Sequence, residues 1–146
     1  MNRILYTYEK LSKLKLVESP LCTFCGKDEE TPEHLFVFCQ SSRAFWKEIS
    51  SWLRKCGIDT LPDFTDQVSI MFGLFDVKSH CMLLHHIVLI AKQTIFFCRR
   101  KSIAPSLIVF VAHLKKIFKM EEYLAKEKNE LNLHLEKWER LLETLC

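Results

Sequence analysis

Cys22, Cys25, His34 and Cys39 form the pattern C-x2-C-x8-H-x4-C, and this quartet constrains the chain more than any other feature. Three thiolates and one imidazole fill a tetrahedral zinc shell with no open position. Such a site is structural rather than hydrolytic, because no water can be bound and activated. The intervening residues suit the role. Gly26 follows the C-x2-C turn, where a positive φ is cheap only for glycine. Thr31 reads as a helix N-cap, Pro32 as the first helical residue and Glu33 as an acid in the first turn. A short helix from Pro32 carries His34 inward and leaves Cys39 just past its end. The competing reading is a cluster of buried thiols acting as small hydrophobes. It leaves the turn glycine and the cap unexplained.

Length confines the 146 residues to one domain with at most a small satellite. A hydrophobic content of 49% with 11 Phe supports a true core, and only three Gly and four Pro argue against a turn-rich β fold. The first residues lack the apolar stretch and small-residue cleavage site of a secretory leader. The seven Cys are therefore expected in a reducing compartment, nucleus or cytoplasm, as ligands or core residues rather than disulfides.

Along the chain, Ile4, Leu5, Tyr8, Leu11 and Leu14 alternate at helical spacing with Arg3, Lys10, Lys13 and Lys15, so residues 2–17 read as an amphipathic helix ended by Glu18-Ser-Pro20. Ser41 or Ser42 is expected to cap a second helix with Phe45, Trp46, Ile49, Trp52 and Leu53 on one face, stopped by Gly57. Phe36 and Phe38 read as core. Between 58 and 78, Leu61-Pro-Asp-Phe reads as a turn, and Val68 to Phe75 fits either an extended piece or a helical turn. A long helix follows over 79–101. Its apolar run is interrupted by His85, His86, Lys92 and Gln93, too soon for the ~20 residues of a membrane span, so a buried helix and no membrane contact are expected. Ala104-Pro105 breaks it. A last helix from Ser106 toward the C-terminus carries Phe110, Leu114, Ile117, Met120, Leu124, Leu131, Leu135, Trp138, Leu142 and Leu145 as one seam. Its partner is the 79–101 helix folded back, or another chain. The expected fold is mainly α: a helix–zinc knuckle–helix unit over 1–56, a linker over 57–78, and a C-terminal helical region over 79–146 forming a long hairpin.

Net charge is only +3, but no acid lies between Asp76 and Glu121, a window that holds Lys78, Lys92, Arg99, Arg100, Lys101, Lys115, Lys116 and Lys119. Folded antiparallel, Arg99–Lys101 and Lys115–Lys119 would approach each other near the connecting turn as a phosphate-binding patch. The plainer reading is a solvated helix end complementing its dipole. Phe24, between the first two ligands, either stacks on an unpaired base or packs on Leu35 or Phe36. His80, His85, His86, His113 and His134 complete no second metal pattern, and Asp59, Asp63, Asp66 and Asp76 match no cation loop. With no phosphate-binding glycine loop and no nucleophile elbow, the chain is not expected to be an enzyme.

Cys22-Thr-Phe-Cys25, Glu33-His-Leu-Phe-Val-Phe-Cys39 and Phe45-Trp46 resemble the zinc-binding region of reverse transcriptases from LINE-type non-LTR retrotransposons. Asn2-Arg-Ile-Leu-Tyr, Lys13-Leu-Lys-Leu-Val, Leu89-Ile-Ala-Lys-Gln-Thr-Ile-Phe, Cys98-Arg-Arg-Lys, Glu121-Glu-Tyr-Leu-Ala and Trp138-Glu-Arg-Leu-Leu are similar to segments of the same C-terminal region, in the same order. The resemblance implies one structural zinc on Cys22, Cys25, His34 and Cys39, and a module that helps a polymerase hold RNA or DNA. It also implies a severed end of a larger protein, since nothing here looks like that family's endonuclease or palm. A non-catalytic, protein-interacting helical remnant whose zinc is purely structural is the alternative.

Overall fold

A computed structural model describes residues 5–58, 71 and 81–145. The expected turn at 61–64, the 68–75 piece apart from Met71, Asp59, Asp63, Asp66, Asp76, Lys78 and His80, together with Arg3, Ile4 and Cys146, lie outside the described residues. The described fold is mainly helical, with the Cys/His cluster near the N-terminus and long helices after it.

Helix α1 spans Tyr8–Lys13, α2 Gln40–Lys55, α3 Cys81–Lys101, α4 Leu107–Glu127 and α5 Leu131–Trp138; a 3-10 turn, Glu139–Leu141, leads into the short α6, Leu142–Leu145. Between α1 and α2 lies a widened π turn, His34–Phe38.

Among the described residues one device ends each of α1 to α4: a residue of positive φ whose follower bonds back to a carbonyl five positions before it. Gly57 (φ 77) does this for α2, with the Ile58 N–H donated to Leu53 O at 3.0 Å. Lys15 (φ 57) ends α1, with Leu16 N–H on Leu11 O at 2.9 Å. That stop is why α1 closes well before Glu18-Ser-Pro20. Ser102 (φ 54) ends α3, with Ile103 N–H on Cys98 O at 3.0 Å, ahead of Pro105. Asn129 (φ 57) ends α4, with Glu130 N–H on Ala125 O at 2.8 Å. Asparagine tolerates this left-handed geometry. The expected continuous last helix is therefore two helices.

Helices α3 and α4 form an antiparallel hairpin: Thr94 Oγ1 meets His113 Nδ1 at 3.0 Å near the turn, and His86 Nδ1 lies 3.4 Å from Glu121 further down. Helix α5 folds back on α4, with Phe118 against His134 and Trp138 at ring separations of 4.8 and 5.6 Å. The reversal divides the expected seam. Of its members Phe110, Leu114, Trp138 and Leu145 are buried, while Met120, Leu124 and Leu135 are exposed; Phe118 and Leu141, outside that seam, are buried as well. Helix α2 closes the core from the other side, its Phe45 and Trp52 contacting Phe110 edge-on. Ser106 leads into α4, and Glu48 of α2 caps it: Glu48 Oε2 accepts the Leu107 N–H at 3.1 Å. By length and composition Met82–Lys101, with mean hydropathy 1.2, is apolar enough to cross a membrane; 56% of that window is buried within the fold. Its buried face includes Ile87, Val88, Ala91 and Ile95.

Candidate metal centre

The strand-like arms flanking the first two ligands are held by a single antiparallel bridge, Leu21 to Glu29. Cys22 N–H donates to Asp28 O and Glu30 N–H to Pro20 O, both at 2.8 Å. Across this narrow hairpin side chains alternate, so Cys22 and Glu30 turn inward while Leu21 and Glu29 face solvent. At its tip Gly26 takes φ 64, as the sequence suggests, and its N–H closes the knuckle on Cys22 O at 2.8 Å.

The second half of the site begins as the sequence predicts. Pro32 and Glu33 start a helical segment, and Thr31 Oγ1 accepts the His34 N–H at 3.0 Å, three residues on. The segment then widens: Cys39 N–H reaches His34 O at 2.7 Å, a five-residue closure. In an α-helix, positions five apart point about 140° away from each other; the wider turn brings His34 and Cys39 round to one side. Two buried side chains of α2 occupy carbonyls of this turn. Ser42 Oγ donates to Leu35 O at 2.5 Å and Trp46 Nε1 to Phe36 O at 2.7 Å. Ser42 thus braces the π turn instead of capping α2, whose start has no side-chain cap. The same turn leaves Phe38 52% exposed, not in the core.

The ligand atoms of Cys22, Cys25, His34 and Cys39 all lie within 4.8 Å of one another. Zinc–sulfur bonds of about 2.3 Å in a tetrahedron give sulfur–sulfur edges of about 3.8 Å, and the Cys22 and Cys39 sulfurs are 3.8 Å apart. Cys25 Sγ is 3.3 Å from His34 Nε2. The environment favours anionic sulfur at Cys39 and disfavours it at Cys22. The Cys22 thiol donates to Cys39 and lowers the latter to about 7, helped by the backbone N–H groups of Ser41 and Ser42 and opposed by burial. That same bond, with burial, pushes Cys22 up, while the N–H groups of Cys25 and Phe24 offset part of the rise. A metal cation would take the place of the proton these sulfurs share. The donor set fits zinc, and zinc bound there would tie the knuckle tip to the π turn and leave no coordination position for chemistry.

Glu30 is a residue that sequence reasoning missed. Its carboxylate is 0% exposed and accepts four hydrogen bonds. Tyr8 N–H (2.9 Å) and Arg99 Nε (2.6 Å) reach Oε1; Thr23 N–H (3.1 Å) and Thr23 Oγ1 (3.0 Å) reach Oε2. The Arg99 guanidinium also stacks over Tyr8, 4.6 Å from the ring centre. The one sequence signal was the alternation that puts Glu30 on the Cys22 side. Its partner, 69 residues away, had none.

Arg99 is therefore withdrawn from the phosphate-facing set, being 7% exposed and paired with Glu30. Arg100, Lys101, Lys115, Lys116 and Lys119 are exposed. They do not converge at the turn. The hairpin register sets Lys101 opposite Ser106, and Lys115 lies nine residues further along α4, about 14 Å at 1.5 Å per residue. Phe24 is half-buried and packs against the core cluster that includes Leu35 and Phe36, the packing alternative of the two.

Residues 1–46 match a protein-family model described as zinc-binding in reverse transcriptase. No match to curated proteins or to solved structures reaches significance. The family match and the three-cysteine, one-histidine cluster agree on zinc as the metal of this N-terminal unit.

Proposed function

We propose that the protein is a non-catalytic nucleic-acid-binding module, derived from the C-terminal region of a LINE-type retrotransposon reverse transcriptase and organised by one structural zinc ion. It acts inside the cell, in nucleus or cytoplasm, on RNA or DNA and not on a membrane. The observation that carries this reading is the four-ligand cluster lying within a segment that matches the reverse-transcriptase zinc-binding family. Its closed ligand set supports a scaffold rather than a hydrolase.

Electrostatics supports the choice of partner. At 100° per residue, Lys115, Lys116, Lys119 and Tyr123 fall within an arc of about 100° on α4; all four are exposed, Tyr123 by 64%. Cations beside an accessible ring suit a single strand, whose phosphates pair with lysine while a base stacks on the phenol. Arg100 and Lys101 extend the positive surface at the end of α3. Fluorescence anisotropy with short single-stranded RNA and DNA, titrated from about 50 to 200 mM salt, tests the reading. Binding that weakens steeply with salt supports it, and absent or salt-insensitive binding refutes it.

A protein-interaction role is the second reading. Met82, Leu124 and Leu133, all well exposed, line a groove of about 540 Å³ where α3, α4 and α5 meet. Sedimentation at micromolar concentration tests self-association through it, and a strict monomer argues against that form.

A further inference from the structure

Two desolvated charges usually hold elements together no better than an apolar pair of similar volume, so the buried Glu30–Arg99 pair is informative for what it orders. Four donors from three parts of the chain converge on the one carboxylate: Tyr8 from α1, Thr23 from between the first two cysteine ligands, and Arg99 from the last turn of α3. Thr23 directly follows Cys22 and precedes Cys25 by two residues. Holding both its N–H and its hydroxyl fixes the path of the chain between the two sulfurs.

We propose that Glu30 is a positioning residue of the metal centre and that Arg99 couples this centre to the helical hairpin, so that metal occupancy and docking of the α3 C-terminal turn stabilise each other. The inference rests on the zinc reading above and carries it beyond residues 1–46. The charges give a reason for the arrangement. Three thiolates around a dication leave a net charge of about −1, and Glu30 adds a second negative charge beside the loop. Arg99 offsets it from a distant part of the sequence. Without Arg99, a buried carboxylate next to the anionic cluster is uncompensated, and the knuckle opens more readily. Coupling of this kind is reciprocal: removing the metal loosens the end of α3. Arg100 and Lys101 follow directly, so the metal also governs where these two exposed cations stand.

Hydrogen exchange on the intact protein, zinc-loaded and after chelation, is the primary test. Protection of amides 96–101 should fall by about tenfold or more on chelation, within the range of allosteric couplings; unchanged protection there overturns the coupling. Zinc affinity measured by competition with a chromophoric chelator supplies the second arm. Arg99→Met should weaken binding by about tenfold, and the neighbouring Arg100→Met should not. Glu30→Gln combined with Arg99→Met should recover much of the loss, because no buried charge is then left alone. Equal affinities for Arg99→Met and Arg100→Met overturn the proposal. Should Arg99→Met not fold, the exchange experiment on the unaltered protein decides alone. A protein that takes up no zinc defeats the proposed function itself, whereas zinc uptake without any response at 96–101 defeats only the coupling.

Discussion

At the residue scale, the ligands were legible because coordination chemistry demands few residue types at short spacing, and Gly26 and Thr31 announced the local geometry. Structural zinc contributes on the order of 10–16 kcal/mol of apparent binding free energy, as much as or more than the net stability of a typical domain, about 5–15 kcal/mol. Cys25→Ser is therefore expected to abolish zinc uptake and to expose the 21–30 amides to exchange; retained protection there would deny the site a structural role. Glu30 was illegible because its meaning depends on a partner far along the chain, and short-range patterns do not report such pairs. Ser102 offers a separate check. Its φ of 54 strains any residue with a Cβ, so Ser102→Gly is expected to raise stability by about 0.5–1 kcal/mol, read as a higher urea midpoint.

At the element scale, helix existence was readable from apolar periodicity, while helix ends were misplaced where the stop was not a glycine. Gly57 was recognised, but Lys15, Ser102 and Asn129 perform the same turn without the usual residue. The π turn was invisible for a related reason: its carbonyls are taken by Ser42 and Trp46, which are tertiary partners rather than local ones. Glu48 is such a partner for α4, and Glu48→Ala should cost about 0.5–1 kcal/mol by exposing an uncapped helix start, measurable by thermal melting. Where α3, α4 and α5 meet, His86 accepts from Lys137 at 2.8 Å, and Glu121 accepts from Lys137 and Trp138. Burial, then the nearby Lys137 charge, lowers His86 below its ordinary 6.5, against the pull of Glu121. Burial raises Glu121, but the bonds from Lys137 and Trp138 and the charges of His86 and Lys137 outweigh it, leaving the carboxyl below its ordinary 4.5. For His86 the unfolded chain takes up protons first, so its contribution is full above pH 6.5 and declines as pH falls through the folded value. The Glu121 contribution is present above 4.5 and is lost as pH falls through its depressed value. Melting temperature should thus fall in two steps on acidification. Burial lowers His113 and His134 in the same direction, so His86→Asn, which cannot titrate, should shrink the upper step without abolishing it.

At the scale of the whole molecule, the mainly helical class and the hairpin could be read from composition and spacing. The expected convergence of the two basic clusters failed because register, unlike helix propensity, is decided by packing: Thr94 on His113 and His86 near Glu121 set it. What results is an N-terminal unit carrying the Cys/His cluster, joined to the helical hairpin by a shared apolar core, the Glu48 cap on α4 and the buried Glu30–Arg99 pair. Replacing Lys115, Lys116 and Lys119 together by Gln should lower the log–log salt slope of single-strand binding by about 0.7 for each phosphate no longer neutralised, without altering zinc uptake. The most direct test of the zinc-organised scaffold is native mass spectrometry of the purified protein. The expected spectrum shows a compact charge-state distribution carrying one zinc, which unfolds to high charge on chelation. A compact, metal-free molecule at neutral pH with zinc available would contradict it.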